Sequence, residues 1–242
     1  MSFDFVIRDW AAWAPGLSSS DDWRQWVSGA KALGDELPPA PAAVPKALQR
    51  RLGPLARAVL HTVGQCIPPN QALPAIFSSA HGEIGKCLQM LETLQANEEL
   101  SPTAFSLSVH NAIGGLFSMA YGNRMEITAL APAAGGIGPG FIEALGMLNE
   151  GHPEVLVVFY DEVLPEFFPT APFAISAAFP CALALRLAQN DSGLAVRFDF
   201  APSTSPSGEQ PLQLPAFIQF LLSGQTTLRL ANQDRGWQWQ KL

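Results

Sequence analysis

The densest chemistry-bearing stretch is Met125-Glu-Ile-Thr-Ala-Leu-Ala-Pro-Ala-Ala-Gly-Gly-Ile-Gly-Pro-Gly140, where an apolar strand pattern runs through a glycine-rich turn into a helix. In open α/β sheets, ligands gather where strands end and helix N-termini begin. Two chemistries suit such a turn. The first is dinucleotide binding, with Gly136 and Gly138 as the first two fingerprint glycines and Asp161, at the end of the next strand, as the ribose-binding acid. Against it, the third glycine position holds Phe141, and Pro139 sits at the helix start. The second is a nucleophile elbow, which requires cysteine or serine at its tip. Here the tip is Ala133-Ala134, between Pro132 and Gly135, and an alanine side chain offers neither a lone pair nor a proton.

The other reactive side chains are scattered. His110, next to Asn111 in a small-residue helix pattern, reads as a packed, hydrogen-bonded residue, and His81 beside Gly82 as a turn residue. His61 and His152 read as surface or loop positions, so no metal site and no cofactor is expected. Cys66, Cys87 and Cys181 form neither pairs nor CxxC spacings, which argues against a disulfide framework or a zinc site. Cys87 lies beside Lys86 but has no base in local reach, and Cys181 in Phe179-Pro-Cys-Ala-Leu-Ala reads as a small hydrophobe.

The elements that must position these residues follow from periodicity. Strands are expected at 3–13, 73–79, 125–131, 154–160, 173–188 and 194–200, with a terminal hairpin from 226–230 and 237–241. Trp237 and Trp239 alternate within that hairpin and could cover a core edge or touch a partner. Helices are expected at 21–30 (capped by Ser19 or Ser20), 46–66, 82–97, 109–121, 138–150 and 214–223. Leu88, Leu91 and Leu94 share one side of the helix over 82–97. Prolines 38, 39, 41 and 45 make 34–45 an irregular excursion. Strand–helix alternation followed by consecutive strands predicts an α/β layered domain spanning 1–242, with a mainly parallel mixed sheet and C-terminal antiparallel strands.

Composition narrows the partners. The chain has 242 residues, 48% hydrophobic and 14% charged, against roughly 25% charged in an average soluble domain. Such a sparse charge pattern fits either a large core or an apolar surface that meets a partner. Net charge is −7, and the 14 Lys and Arg are scattered apart from the adjacent pair Arg50-Arg51, which excludes the clustered basic face of a nucleic-acid binder. No apolar run reaches the ~20 residues of a membrane span. The start, Met1-Ser2-Phe3-Asp4, lacks a secretory pattern, so the cytoplasm is the expected compartment.

Phe105-Ser-Leu-Ser-Val-His-Asn-Ala-Ile-Gly-Gly-Leu-Phe-Ser-Met-Ala120, followed by Met125 to Gly138, resembles the β-ketoacyl synthase family. In that family a small-residue helix precedes a strand ending in the active cysteine. Ile76-Phe-Ser-Ser-Ala-His-Gly82 is similar to the family's earlier strand and glycine turn, and 173–200 to the strand pair after the cysteine unit. Ser101-Pro-Thr-Ala-Phe-Ser-Leu-Ser-Val-His-Asn111 resembles one branch, the short chain length factors of aryl polyene gene clusters, which keep only the amino-terminal domain.

The resemblance implies a thiolase-like fold and places Ala133, within one residue, where the family has its nucleophile. It also implies two histidines from a carboxy-terminal half, whereas no histidine follows Asp161. The implied role is that of a non-catalytic subunit. Its partner would be a full-length active ketosynthase, met through the strand Met125, Glu126, Ile127, Thr128, Ala129, Leu130 and Ala131, with an acyl carrier protein reached through the complex. Leu88, Leu91, Leu94, Phe117 and Met119 are candidates to line the acyl tunnel. A homodimeric acyl-thioester binding module and a dinucleotide-dependent oxidoreductase stay open as alternatives.

Overall fold

The computed structural model describes residues 2–68, 71–132, 135–168, 177–202, 213–232 and 235–242. Element order is β1 (Ser2–Trp13), α1 (Ser20–Val27), α2 (Lys46–Gln49), α3 (Pro54–Cys66), β2 (Ala75–Ser78), α4 (Ile84–Gln95), α5 (Pro102–Ser106) and α6 (Ala112–Tyr121). It continues with β3 (Ile127–Leu130), α7 (Gly138–Asn149), β4 (Glu154–Asp161), β5 (Cys181–Ala188), β6 (Leu194–Pro202), α8 (Gln213–Leu222), β7 (Thr227–Asn232) and β8 (Arg235–Lys241). The strands form one sheet in the order β3-β2-β4-β5-β1-β6-β8-β7.

Only β2–β3 and β2–β4 pair in parallel, and every other pairing among the described residues is antiparallel. The sheet is mixed, as expected, but its balance is antiparallel rather than mainly parallel. The reason is that β1 does not start a parallel row. It inserts between β5 and β6, two strands joined by the turn at residues 189–193.

Two further boundaries differ from the periodicity. The helix expected over 46–66 is two helices, because Gly53 is extended (φ −68, ψ 170) and Pro54 opens α3 at its first turn. Proline disfavours helical backbone in the residue before it and suits the first helical turn after it. The strand expected over 173–188 begins only at Cys181, directly after Pro180, which has no N–H for a ladder; residues 173–176 lie outside the described set.

Both sheet faces are covered. On one, α1, α7 and α8 pack against Phe5, Ile7, Val157, Phe159 and Leu185. On the other, α3 and α6 pack against Phe77, Leu156, Val158, Tyr160 and Ala184. Strand β4 feeds both faces in strict alternation, which explains its unbroken apolar run. Strand β1 also feeds both, but its parity changes midway. Phe5 and Ile7 face the α7 side, while Ala11 and Trp13 face the α3 side. A register shift between Ile7 and Asp9 supplies the extra residue, Arg8, that makes the change possible. Arg8 turns to the carboxylate of the buried Glu154 and to Asp191.

Candidate functional site

The strand–turn–helix unit forms as the sequence predicts, with β3 leading into α7. Ala133 and Ala134, the nucleophile position of the resemblance, lie outside the described residues. The residues on either side are defined. Gly135 N–H donates to the Pro132 carbonyl (2.8 Å), and Gly136 takes a left-handed conformation (φ +59).

Side chains from the far C-terminus fill the space above these glycines. Trp237 Nε1–H donates to the Gly135 carbonyl (2.9 Å), and the Gln213 carbonyl oxygen accepts from Ile137 N–H (3.0 Å). A β-carbon on Gly136 would lie 1.9 Å from Gln213, and one on Gly138 would lie 2.2 Å from the Trp237 ring. The glycines are therefore small to admit protein side chains. In the dinucleotide reading they would admit a pyrophosphate, and no room for one is left at Gly136 and Gly138.

The helix–strand contact expected of a third glycine is made by Gly140, whose β-carbon would lie 2.6 Å from the Phe159 ring. Phe141, which spoils the fingerprint, is a fully buried hub ringed by Phe5, Phe159, Phe198, Phe217 and Trp239 at centroid distances of 5.3–5.9 Å.

Asp161 is equally committed. Its Oδ1 accepts from Ser79 Oγ–H (2.8 Å) and from Ala80 N–H (2.8 Å), which staples the C-terminal ends of β2 and β4 together. Ser79 Oγ in turn accepts from Gly82 N–H (2.7 Å), and the Ser79 carbonyl meets His110 Nε2 (3.0 Å). Burial pushes the Asp161 carboxyl up to about 6, against the lowering effect of these donors and of His110. This corner is a structural knot in which the Asp161 carboxylate is bonded to the chain itself.

His110 is thus the packed, hydrogen-bonded residue its sequence context suggests, and Gly82 is the left-handed turn beside His81. His152 pairs with Glu126 (2.8 Å). Cys66 and Cys181 are buried, and desolvation pushes both thiols well up, Cys66 to about 12. Cys87 is half-buried and its thiol donates to the Ser108 carbonyl (3.3 Å). Among the described residues, no group of three or more His, Cys, Asp and Glu could hold a metal, and no helix is long and apolar enough to cross a membrane.

The candidate partner strand is the edge of the sheet. β3 pairs only with β2 among the described residues, and all four of its residues are half-buried. Ala75 N–H bonds to the Glu126 carbonyl and Ser79 N–H to the Leu130 carbonyl. By strand alternation the main-chain groups of Ile127 and Ala129 then point away from β2, toward the free edge. The side chains are fixed from both faces: Ile127 packs near Gly114 of α6, and Thr128 Oγ1–H donates to Glu143 of α7 (3.3 Å). Met125, Glu126 and Ala131, just outside the strand, are exposed.

The connection from β2 to β3 is thinly covered over α4 and α5. Helix α4 buries no residue at all. Leu91 is 58% exposed, Leu94 52%, Phe105 of α5 63% and Met119 of α6 58%, so apolar side chains from all three helices are left to solvent. Leu88 is half-buried. Phe117, by contrast, is fully buried against Phe77 and Tyr121, so in this chain it is a core residue standing behind the exposed flank. None of the five tunnel candidates lines the cleft around Trp13, Leu37 and Glu162 or the groove around Arg50, Met90 and Leu107.

The fold is thiolase-like, of the ketosynthase kind. The family model "Beta-ketoacyl synthase, N-terminal domain" matches residues 23–240, and the chain belongs to that family. Among solved structures, a chain from the complex of the ketosynthase ApeO with its chain length factor ApeC, from Xenorhabdus doucetiae, is 26% identical. It superposes with a TM-score of 0.81 over 98% of this chain and 99% of its own length. The ishigamide ketosynthase/chain length factor matches at 13% identity and TM-score 0.55, over 83% of this chain and 68% of that one. A β-ketoacyl synthase from Burkholderia phymatum matches at 11% identity and TM-score 0.62, over 91% and 71%. At those identities the last two speak for the fold alone. No curated protein matches the sequence.

Proposed function

We propose that this chain is a chain length factor: a non-condensing subunit that pairs with a full-length, catalytically active β-ketoacyl synthase and limits how far the acyl chain grows. One observation carries the reading. The strand that precedes the nucleophile position is a free sheet edge, and the three helices beside it hold apolar side chains out to solvent. An open edge flanked by exposed apolar surface is a liability in an isolated subunit and a ready interface in a complex. Support also comes from the ApeO–ApeC complex, whose matched chain is coextensive with this one.

In this reading the partner's cysteine carries the growing chain, and condensation with a malonyl unit on an acyl carrier protein happens in the partner's site. Leu88, Leu91, Leu94 and Met119, with Phe117 behind them, wall off the far end of the tunnel. A hard wall discriminates by about 1–3 kcal/mol per methylene, enough for tenfold selection. The product class that we favour is an aryl polyene, made in the cytoplasm.

The test is size-exclusion chromatography with and without a candidate ketosynthase, followed by product-length analysis of the mixture. A shared peak and a product of defined length are expected. Two outcomes would sink the proposal: condensation of acyl and malonyl thioesters by the wild-type chain alone, or a stable homodimer that ignores the ketosynthase. Ala133→Cys then asks whether restoring the thiol is enough to arm the turn, and no condensation by this variant alone is expected, because no histidine follows Asp161.

A further inference from the structure

A groove of about 490 Å³ lies between the turn after α2 and the helices α4 and α5, on a different side of α4 from Leu91 and Leu94. Its volume falls in the range of small-molecule sites. The floor is apolar: Leu52, Met90, Leu100 and Leu107. Leu52 is buried and Leu107 packs on the α3–α6 core, so this floor is anchored. Lys86, Met90 and Thr93 recur along one face of α4, which makes the trough about 10 Å long at 1.5 Å per residue.

One rim is cationic. Arg50 and Arg51, the only adjacent basic pair in a chain of net charge −7, both line the groove and both are exposed. Other arginines of the chain are committed: Arg8, Arg24, Arg186 and Arg197 each sit at a carboxylate. Neither Arg50 nor Arg51 has an ion pair among the described residues. Lys86 is held by Glu83 (2.6 Å), so Glu99 is the one lining carboxylate that opposes the two guanidiniums.

A trough lined by apolar side chains and by two guanidinium forks without ion pairs among the described residues matches one ligand chemistry. We propose that the groove binds an amphiphile with an anionic head, carboxylate or phosphate, on a linear alkyl tail. The forks take the head in bidentate fashion and the floor takes the tail. A flat basic patch would suit an acidic protein surface, whereas this groove is concave and apolar-floored, which favours a small molecule. The inference does not rest on the chain length reading, because the β3 edge and Leu91 and Leu94 are not part of the groove.

Isothermal titration of the full chain with decanoate, decyl phosphate, decanol and inorganic phosphate, all below micellar concentrations, tests it. One of the two anionic amphiphiles is expected to bind at least tenfold more tightly than decanol and than inorganic phosphate, and the stronger of the two identifies the head group. The double variant Arg50→Ala/Arg51→Ala, whose exposed side chains support no core, should lose tenfold or more. Met90→Asn should weaken the tail contact while leaving inorganic phosphate binding unchanged. Decanol binding as tightly as both anionic amphiphiles would overturn the proposal, as would undiminished binding by the double variant with its circular dichroism intact. Co-elution with a ketosynthase should be the same for the double variant and the wild type, which separates failure here from failure of the chain length reading.

Discussion

At the β7 end of the sheet, Phe198, Phe217 and Trp239 close around Phe141, and Trp237, stacked on Phe198, seals the glycine turn. At the β3 end, Leu91, Leu94, Phe105 and Met119 stand in solvent beside an unpaired strand edge. Both regions are rich in large apolar side chains. The difference lies in what covers them. α7 packs with α1, α8 and the β8 tryptophans in one buried cluster on the sheet, so its turn is finished within the chain. The β2–β3 connection has less cover: α4 and α5 bury nothing, and its supports are Ile113, Leu116 and Phe117 of α6, the buried Asn123 and the Asp161 staple. One end is completed by the chain itself, and the other is left open among the described residues.

The largest effect expected is at the closed end. Phe141→Ala removes the hub of five aromatic contacts and should cost about 3–5 kcal/mol in urea unfolding. A loss under about 1 kcal/mol would show that the ring of aromatics does not hold this end.

The open end should behave in the opposite way. Ala129→Pro removes an outward-facing N–H without touching the bonds from β2, and edge strands tolerate proline. The isolated chain should lose no more than about 1 kcal/mol, while affinity for a ketosynthase partner falls by about 100-fold. Equal affinity of the two proteins in a binding titration would remove β3 from the interface.

Asp161 sharpens the comparison by showing what a polar support costs. Burial pushes its carboxyl up to about 6 in the fold, above the ordinary value of 3.8. The folded chain therefore holds this proton where the unfolded chain has released it. The stabilisation is full below about pH 3.8 and is lost as pH rises through about 6. Asp161→Asn keeps an acceptor for Ser79 and Ala80 but has no proton to lose. Relative to wild type it should gain about 2–3 kcal/mol between pH 4 and 7, read from paired thermal melts. A constant difference across that range would mean the carboxyl is not buried in solution.

The smallest effect on stability belongs to Leu91→Ser/Leu94→Ser. Both side chains are exposed, so unfolding should shift by no more than about 0.5 kcal/mol. Partner affinity should still drop about tenfold, if these residues are part of the apolar contact. A stability loss well above that figure would mean they serve this chain's own core.

Much of this was legible in the residues. The apolar run of β4, the cap at Ser19, the strand–turn–helix from 125 to 149 and the terminal hairpin are local patterns, and each forms close to its expected bounds. The capping box is an example: Ser19 and Asp22 are three residues apart and satisfy each other directly. The absence of cysteine or serine at 133–134, and of histidine after Asp161, is likewise plain from the sequence. The Trp237-Gln-Trp239 alternation hinted at a covered edge, but nothing near it indicated which element it covers.

What covers the glycine turn was decided only by the tertiary structure. Trp237 reaches Gly135 across 102 positions and Gln213 reaches Ile137 across 76, contacts that leave no local periodicity. The same holds for the place of β1 between β5 and β6, which turned an expected mainly parallel sheet into a largely antiparallel one. Periodicity tells which face of an element must be buried. It does not say against what, because pairing partners are chosen by the packing of the whole chain. The sequence by itself determined a glycine-rich turn without cysteine or serine at 133–134 in an apolar, acidic α/β chain. The fold determined that the turn is closed by the chain's own C-terminus, while the strand leading into it is left at an open edge.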